Sequence, residues 1–564
     1  MSGGIIQLAA SGVEDLYISD NPQITFFKVV YRRHTNFSIE EVPQSFIHKL
    51  DFGKKSSCIL SRAGDLISNI NLVIELPNIP QIYNIDNTID NHTRFAWVRK
   101  IGYYIIKSID IKIGEKLIDR HYGEWLNIWS ELTNKNKDKL DKMIGNIDDL
   151  ITYSYTKNSY KLFIPLYFWF CRDISLSLPI LCLQYNNVCI DLELEDFKNC
   201  YKVSPTHSIL LNDSICNFET DEYIIQQIDN DNIAFGQFSY FDEKTNLLYY
   251  SNISNNLFKT CNISSLNPDD NNYTQKKYDL INKYKIKGLK SNYSVNPFII
   301  TDETNLKDNQ KNSLSYYFNP YQNIKIKNCF LLVNYIFLDE EERNIFYKHS
   351  HQYLIEQLIN CCEEEINTQI TTHNINIYNS TKLLIWTLQQ LYLIDNKDYF
   401  NYTNSYQYND ILFNQLIYDD FYINQYLIDN QQQTLLFNQK NNPSLNINYN
   451  HNQIGNGLIK NSTLLFNYNN RMKEETYLYF NNIQNINYFN NNIDKGINIY
   501  SFALNPTNIN PSGTCNMSKI SNVQIKINAD NCINLNNNAL FKCWGLTYNI
   551  LYINAGLGGL IFIN

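Results

Sequence analysis

Residues able to do chemistry are few in this chain, and their spacing argues against most of it. Gly556, Gly558 and Gly559 in NAGLGG lie too close to the chain end for a helix to follow and present its N-terminus to a phosphate, so the reading is a turn or close strand packing. His349 and His351 precede Cys361 and Cys362, but this spacing matches no zinc site: adjacent cysteines rarely share one ion, and the i, i+2 histidines diverge if they lie on a helix. Asp119, Arg120 and His121 carry an acid, a cation and a base just ahead of a Trp-rich segment, where a salt-bridged corner accounts for them as well as catalysis would. Arg32, Arg33 and His34 are a small basic spot, read as a sheet-edge guard or subunit contact in preference to a nucleic-acid site. No GxSxG, HExxH, GxxxxGK[ST] or EF-hand loop occurs. The sequence therefore assigns no catalytic, cofactor-binding or metal residue.

The elements that would position these groups are mostly strands. Ile109, Ile111 and Ile113 alternate with Asp110 and Lys112; Val188, Ile190, Leu192 and Leu194 alternate with Cys189, Asp191 and Glu193; Val523, Ile525 and Ile527 alternate with Gln524 and Lys526. Period two with one apolar side marks half-buried strands. Further strands are predicted over 26–40, 65–76, 162–170, 330–338, 497–504 and 548–553. Two helices interrupt them. Tyr122, Trp125, Leu126, Trp129 and Leu132 share one helical face, and Asp339 with Glu342 has capping-box spacing.

Element order repeats. KSIDIKIGEKLIDRHYGEW, KLFIPLYFWFCRDISLSLP, LQYNNVCIDLEL and CFLLVNYIFLD correspond in sequence to STLLFNYNNRMKEETYLYF, INIYSFALNPTNINPSG, ISNVQIKIN and GLTYNILYINAG. Two tandem β-sandwiches meeting near residues 340–350 are expected. Segments 200–320 and 400–460, dense in Asn, Tyr, Asp and Gln, read as long surface loops. Asn252, Asn262, Asn272 and Asn292 begin N-x-S/T triplets there, which so Asn-rich a chain generates by chance.

Composition sets the outer bounds. The 564 residues suffice for two or three domains, and 44% hydrophobic with 18% charged residues excludes wholesale disorder. A net charge of −9 argues against a dedicated nucleic-acid binder. No apolar run spans a membrane and no secretory signal opens the chain, so an intracellular origin and 13 reduced cysteines are expected.

Several stretches resemble the major capsid proteins of nucleocytoplasmic large DNA viruses, the group including mimivirus-, iridovirus- and phycodnavirus-like members. They are Gly3–Glu40, IDRHYGEWLNIWSELT (Ile118–Thr133), FIPLYFWFCR (Phe163–Arg172), LQYNNVCIDLEL (Leu183–Leu194), LLVNYIFLDEEER (Leu331–Arg343), SHQYLIEQL (Ser350–Leu358), DKGINIYSFALNP (Asp494–Pro506), PSGTCNMSKI (Pro511–Ile520) and YNILYINAGLGG (Tyr548–Gly559). The resemblance implies an all-β double jelly roll: an arm over 1–25, a first eight-stranded unit over 26–342 with an insertion at about 200–320, and a second over 343–564 with an Asn-rich loop at about 400–460. It implies a non-enzymatic virion protein without cofactors, assembled in the host cytoplasm as homotrimeric, pseudo-hexagonal capsomers of an icosahedral shell. The implied partners are further copies of itself and minor capsid proteins beneath, with no direct nucleic-acid contact and no transmembrane segment. Lys519, Ser521 and Tyr552 depart from the family pattern, which leaves a minor or specialised paralogue as an alternative; a jelly-roll glycan-binding or glycan-hydrolysing protein is the other.

Overall fold

The structure, a computed structural model, describes residues 3–10, 21–29, 33–82, 92–228, 233–253, 256–263, 272–291, 293–300, 321, 324–403, 457–535 and 537–562. Along the chain come β1 (Phe37–Ser45), β2 (Lys55–Ile59), β3 (Leu66–Leu76), β4 (Ile106–Ile113), β5 (Lys116–His121), helix α1 (Gly123–Thr133), β6 (Tyr160–Pro165) and β7 (Val188–Leu194). An insertion follows with β8 (His207–Leu210), β9 (Tyr223–Gln227), β10 (Ile233–Asp242), β11 (Leu247–Asn252), β12 (Ile286–Gly288) and β13 (Ser294–Val295). Then come β14 (Asn328–Leu338), helix α2 (Glu340–Lys348), β15 (His351–Ile366), β16 (Ile370–Asn374), β17 (Ser380–Gln390), β18 (Ile459–Phe466), β19 (Asn469–Asn470), β20 (Asn498–Ser501), β21 (Val523–Ala529), β22 (Ala539–Asn554) and β23 (Leu557–Leu560).

Leaving the insertion aside, the first eight strands form two antiparallel sheets, β1-β14-β3-β6 and β2-β7-β4-β5. Counted within the unit, the orders are 1-8-3-6 and 2-7-4-5. Strands β15 to β22 repeat both orders, as β15-β22-β17-β20 and β16-β21-β18-β19. This interleaving is the eight-stranded jelly roll, present twice, and the sequence blocks matched across the two halves occupy equivalent strands. Alternation drives it: Ile109, Ile111, Ile113, Val188, Ile190, Leu192 and Leu194 all point into the first core, and Val523, Ile525 and Ile527 into the second. Each such side chain contributes about 1.5–3 kcal/mol on burial.

Three sequence expectations need correction. The strand expected from Phe26 begins only at Phe37, because its partner β14 ends at Leu338, where Asp339 caps α2 by accepting the Glu342 N–H at 2.9 Å. Phe26, Phe27 and Val29 are left exposed. The strand expected over 162–170 stops at Pro165, and Trp169–Arg172 is helical. Segment 200–320 is more than loop: β8-β11-β10-β9-β12-β13 form a six-stranded sheet with its own core around Ile209, Ile224, Phe238, Leu248, Tyr250 and Ile286. The alternation is hidden because Gln226 points inward in β9, fully buried, its amide donating to the Lys259 and Tyr284 carbonyls. Most of the expected loop at 400–460 lies outside the described residues.

Candidate functional site: the seam between the sandwiches

The clearest built feature is the joint that holds the two sandwiches together. Strand β17 carries the apolar run LLIW, Leu383–Trp386, and is buried from Thr381 to Gln390, because both its faces are covered. Leu384, Trp386 and Leu388 enter the second core, while Leu383 and Ile385 turn to the opposite face. There they meet Trp125, Ile128, Trp129 and Leu132, the apolar stripe of α1 from the first unit, together with Leu358, Ile499, Trp544 and Leu546. The helix starts at Gly123, where a Cβ would sit 2.0 Å from the Tyr103 carbonyl oxygen and 2.6 Å from that of Ile106, so only glycine lets it lie this close to the helical turn Ile101–Tyr104 and the start of β4.

Polar groups around this seam are paired across it. Lys100 is buried and donates to Asn127 Oδ1 and Glu131 Oε1 at 2.8 Å, with Asp494 of the second unit at 3.4 Å. Burial alone would lower the Lys100 pKa; Glu131 and Asp494 reverse this and raise it. Burial likewise works against ionised Glu131, but Lys100 and Lys137 hold its carboxyl below the usual value, whereas burial and Glu131 push Asp494 up. Arg172 lies 4.2 Å over the Trp129 ring and pairs with Glu356 of β15, which also holds the buried Lys382.

The sequence-flagged residues fall into place around the same seam. Asp119 is buried; its Oδ1 accepts the Leu358 N–H of β15 at 3.0 Å and its Oδ2 lies 3.0 Å from His121 Nε2. Arg120 donates to Asp110 through Nε and Nη2, both at 2.7 Å. The trio is a structural corner. Ala555 and Gly556, both at positive φ, turn β22 into β23, and the Gly556 carbonyl accepts the Tyr185 N–H of the first unit at 3.0 Å. Arg33 and His34 are exposed, and Arg32 and Asn292 lie outside the described residues. Asn252 sits in β11, Asn262 in a two-residue strand and Asn272 at a helix start.

His349, His351, Cys361 and Cys362 do not converge. They lie along and just before β15, a strand and not a helix, so His351 and Cys361 are ~33 Å apart along it. His351 Nε2 instead lies 2.6 Å from the Phe346 carbonyl oxygen. What the sequence reading missed is Cys362 with Glu364 and His373, whose donor atoms lie within 4.8 Å of one another. Burial and Glu364 push the Cys362 thiol up to about 12. The cue was Cys-x-Glu on one strand face, with a His eleven residues beyond Cys362 across a turn.

Two clefts flank the seam. One of about 580 Å³ is lined by Arg99, Lys100, Glu131, Lys137 and Asp494. The other, of about 530 Å³, holds Glu193 paired with Lys107 at 2.7 Å and Glu124 and Glu363 paired with Lys542 at 2.7 and 3.5 Å. Carboxylates held by lysines in this way are poor candidates for the acid and nucleophile of a glycan hydrolase. Among the described residues, no helix is long and apolar enough to cross a membrane, and all 13 cysteines are free.

Comparison with known proteins resolves what such a molecule is. Residues 25–236 match the family model described as major capsid protein N-terminus, and residues 342–559 the one described as large eukaryotic DNA virus major capsid protein. Probable capsid protein 4 of Acanthamoeba polyphaga mimivirus is 34% identical over all of this chain and 99% of its own length. The chain belongs to the large eukaryotic DNA virus major capsid protein family. The major capsid protein of Phaeocystis pouchetii virus is 26% identical with full coverage of both chains. The Faustovirus major capsid protein, at TM-score 0.58 and 11% identity, covers 96% of this chain and 94% of its own; the PBCV-1 virus capsid structure, at 0.57 and 19%, covers 96% and 100%. Both share the double jelly-roll fold. Members of this family are structural proteins, not enzymes.

Proposed function

We propose that this capsid-family chain is a shell subunit of a large icosahedral DNA virus, working as a homotrimer whose six sandwiches give a pseudo-hexagonal capsomer. The observation carrying this is the doubled 1-8-3-6 and 2-7-4-5 strand order in a chain that aligns end to end with a viral capsid protein. Three copies of two similar lobes approximate sixfold shape while needing only threefold symmetry, and so pack hexagonally. The seam serves this role by holding the two lobes of each copy in one fixed relation.

Within this reading, residues 26–342 and 343–564 are the two jelly-roll units and residues 1–25 an arm contacting neighbouring capsomers or minor capsid proteins beneath the shell, with assembly in the host cytoplasm. The exposed helix Gly3–Ala9 and exposed Ile24 support an arm that reaches outwards. Lys519, Ser521 and Tyr552 favour a second reading, that of a specialised copy; peptide quantification in purified virions separates a bulk from a minor subunit. Light scattering tests the main proposal: three 66.4 kDa chains give about 200 kDa. Only monomer at micromolar concentration would overturn it.

A further inference from the structure

The corner where the chain leaves one sheet of the second sandwich and enters the other carries Cys362, Glu364 and His373. Cys362 and Glu364 lie two residues apart in β15, and His373 lies in β16, beyond the turn. The imidazole is almost wholly buried and its position is fixed on every side. It stacks on Phe541 with centroids 4.1 Å apart and planes at 15°, its Nδ1 lies 2.6 Å from Glu364 Oε2, and its Nε2 lies 2.8 Å from Thr371 Oγ1. Cys362 is buried, while the Glu364 side chain is 52% exposed, which leaves a route from solvent.

We propose that Cys362 Sγ, His373 Nδ1 and a Glu364 carboxylate oxygen form a site for a zinc-class divalent cation that fastens β15 to β16. Thiolate, imidazole and carboxylate are the donor types such ions take, and Mg²⁺ and Ca²⁺ do not select a thiolate. In a tetrahedral zinc site these three donor atoms lie roughly 3.3 to 3.6 Å apart. Donors already within 4.8 Å reach that by small side-chain rotations, the His373–Glu364 pair opening as the ion enters. Thr371 then has a defined task. With the metal on Nδ1, the ring proton moves to Nε2 and is donated to Thr371 Oγ1, which fixes tautomer and ring orientation. The thiol proton is released to solvent, so binding sheds one proton per ion. In a chain whose cysteines are all free, such an ion takes the place of a covalent tie between the two sheets.

The test uses the full-length protein, stripped with chelator and titrated with Zn²⁺, with Co²⁺ as the spectroscopic probe and Mg²⁺ as control. Expected are one equivalent of Zn²⁺, a thiolate-to-cobalt charge-transfer band and a melting temperature that rises with free Zn²⁺. Cys362→Ser should abolish the band, Thr371→Val should weaken affinity about 10- to 100-fold, and Cys361→Ser should leave both intact. Absence of Zn²⁺ binding at micromolar concentration by the folded wild-type chain would overturn the proposal whatever the variants do. So would a cobalt band that survives in Cys362→Ser.

Discussion

The two sandwiches share a strand order and almost nothing else. In the first, the connection between strands seven and eight carries a six-stranded sheet and that between strands five and six carries α1; in the second, the long connection is the one between strands three and four, across 391–458. Because all four sheets of the two sandwiches are antiparallel, odd strands run one way and even strands the other. These three connections, like the helix-bearing ones across 77–105 and 471–497, run from an odd to an even strand, so each lies at the same end of its sandwich. At the other end no connection exceeds 166–187. Edge strands differ as well. In the first unit, β1 is exposed along most of its length and carries Glu40, Glu41 and Pro43, which discourage open-ended pairing, whereas β15 in the second has a buried centre. The frame thus sets repeat geometry, and one end of each frame carries what makes the two lobes unequal.

That division can be attacked first at the joint. Replacing Trp129 by Ala should destabilise the chain by roughly 3–5 kcal/mol and split denaturant unfolding into two transitions, one per sandwich. A single transition at wild-type midpoint would mean that the lobes do not depend on α1. Next comes the Arg172–Glu356–Lys382 cluster: Glu356→Gln leaves the buried Lys382 and the half-buried Arg172 short of their partner and should cost about 3 kcal/mol by urea titration.

Legibility in the sequence followed physics of the same kind. Strands with one wet face, such as Val523–Ala529, were readable because alternation is their burial pattern; so was the Trp stripe of α1. The partner of that stripe was not, since Leu383 and Ile385 only declare a second buried face once α1 is docked on them. The insertion sheet was hidden by buried Gln226 and by short strands. Lys100, Asp494 and Glu356 were invisible because they are joined from distant parts of the chain, Lys100 and Asp494 lying 394 positions apart.

A smaller effect sharpens the comparison by pH. Lys157, in the elaborated connection of the first unit, donates to the Asp149 and Thr152 carbonyls, and burial pulls its pKa from 10.5 down to about 8. Between these values the unfolded chain holds a proton that the folded chain has lost, so folded stability rises with pH over that window. The wild type should therefore gain on Lys157→Met as pH climbs from about 8 to about 10.5 in parallel thermal melts. A constant gap would place the lysine in an unperturbed setting. Least affected should be Phe37→Ser on exposed β1: within about 0.5 kcal/mol for folding, but with weaker association between copies in sedimentation velocity if that edge meets a neighbour.

The most direct measurement is negative-stain imaging of the purified full-length chain, with class averages sorted by symmetry. Particles of threefold symmetry and hexagonal outline, six lobes each, are the predicted result. A field of two-lobed single chains, at concentrations where folded protein is abundant, would contradict the account.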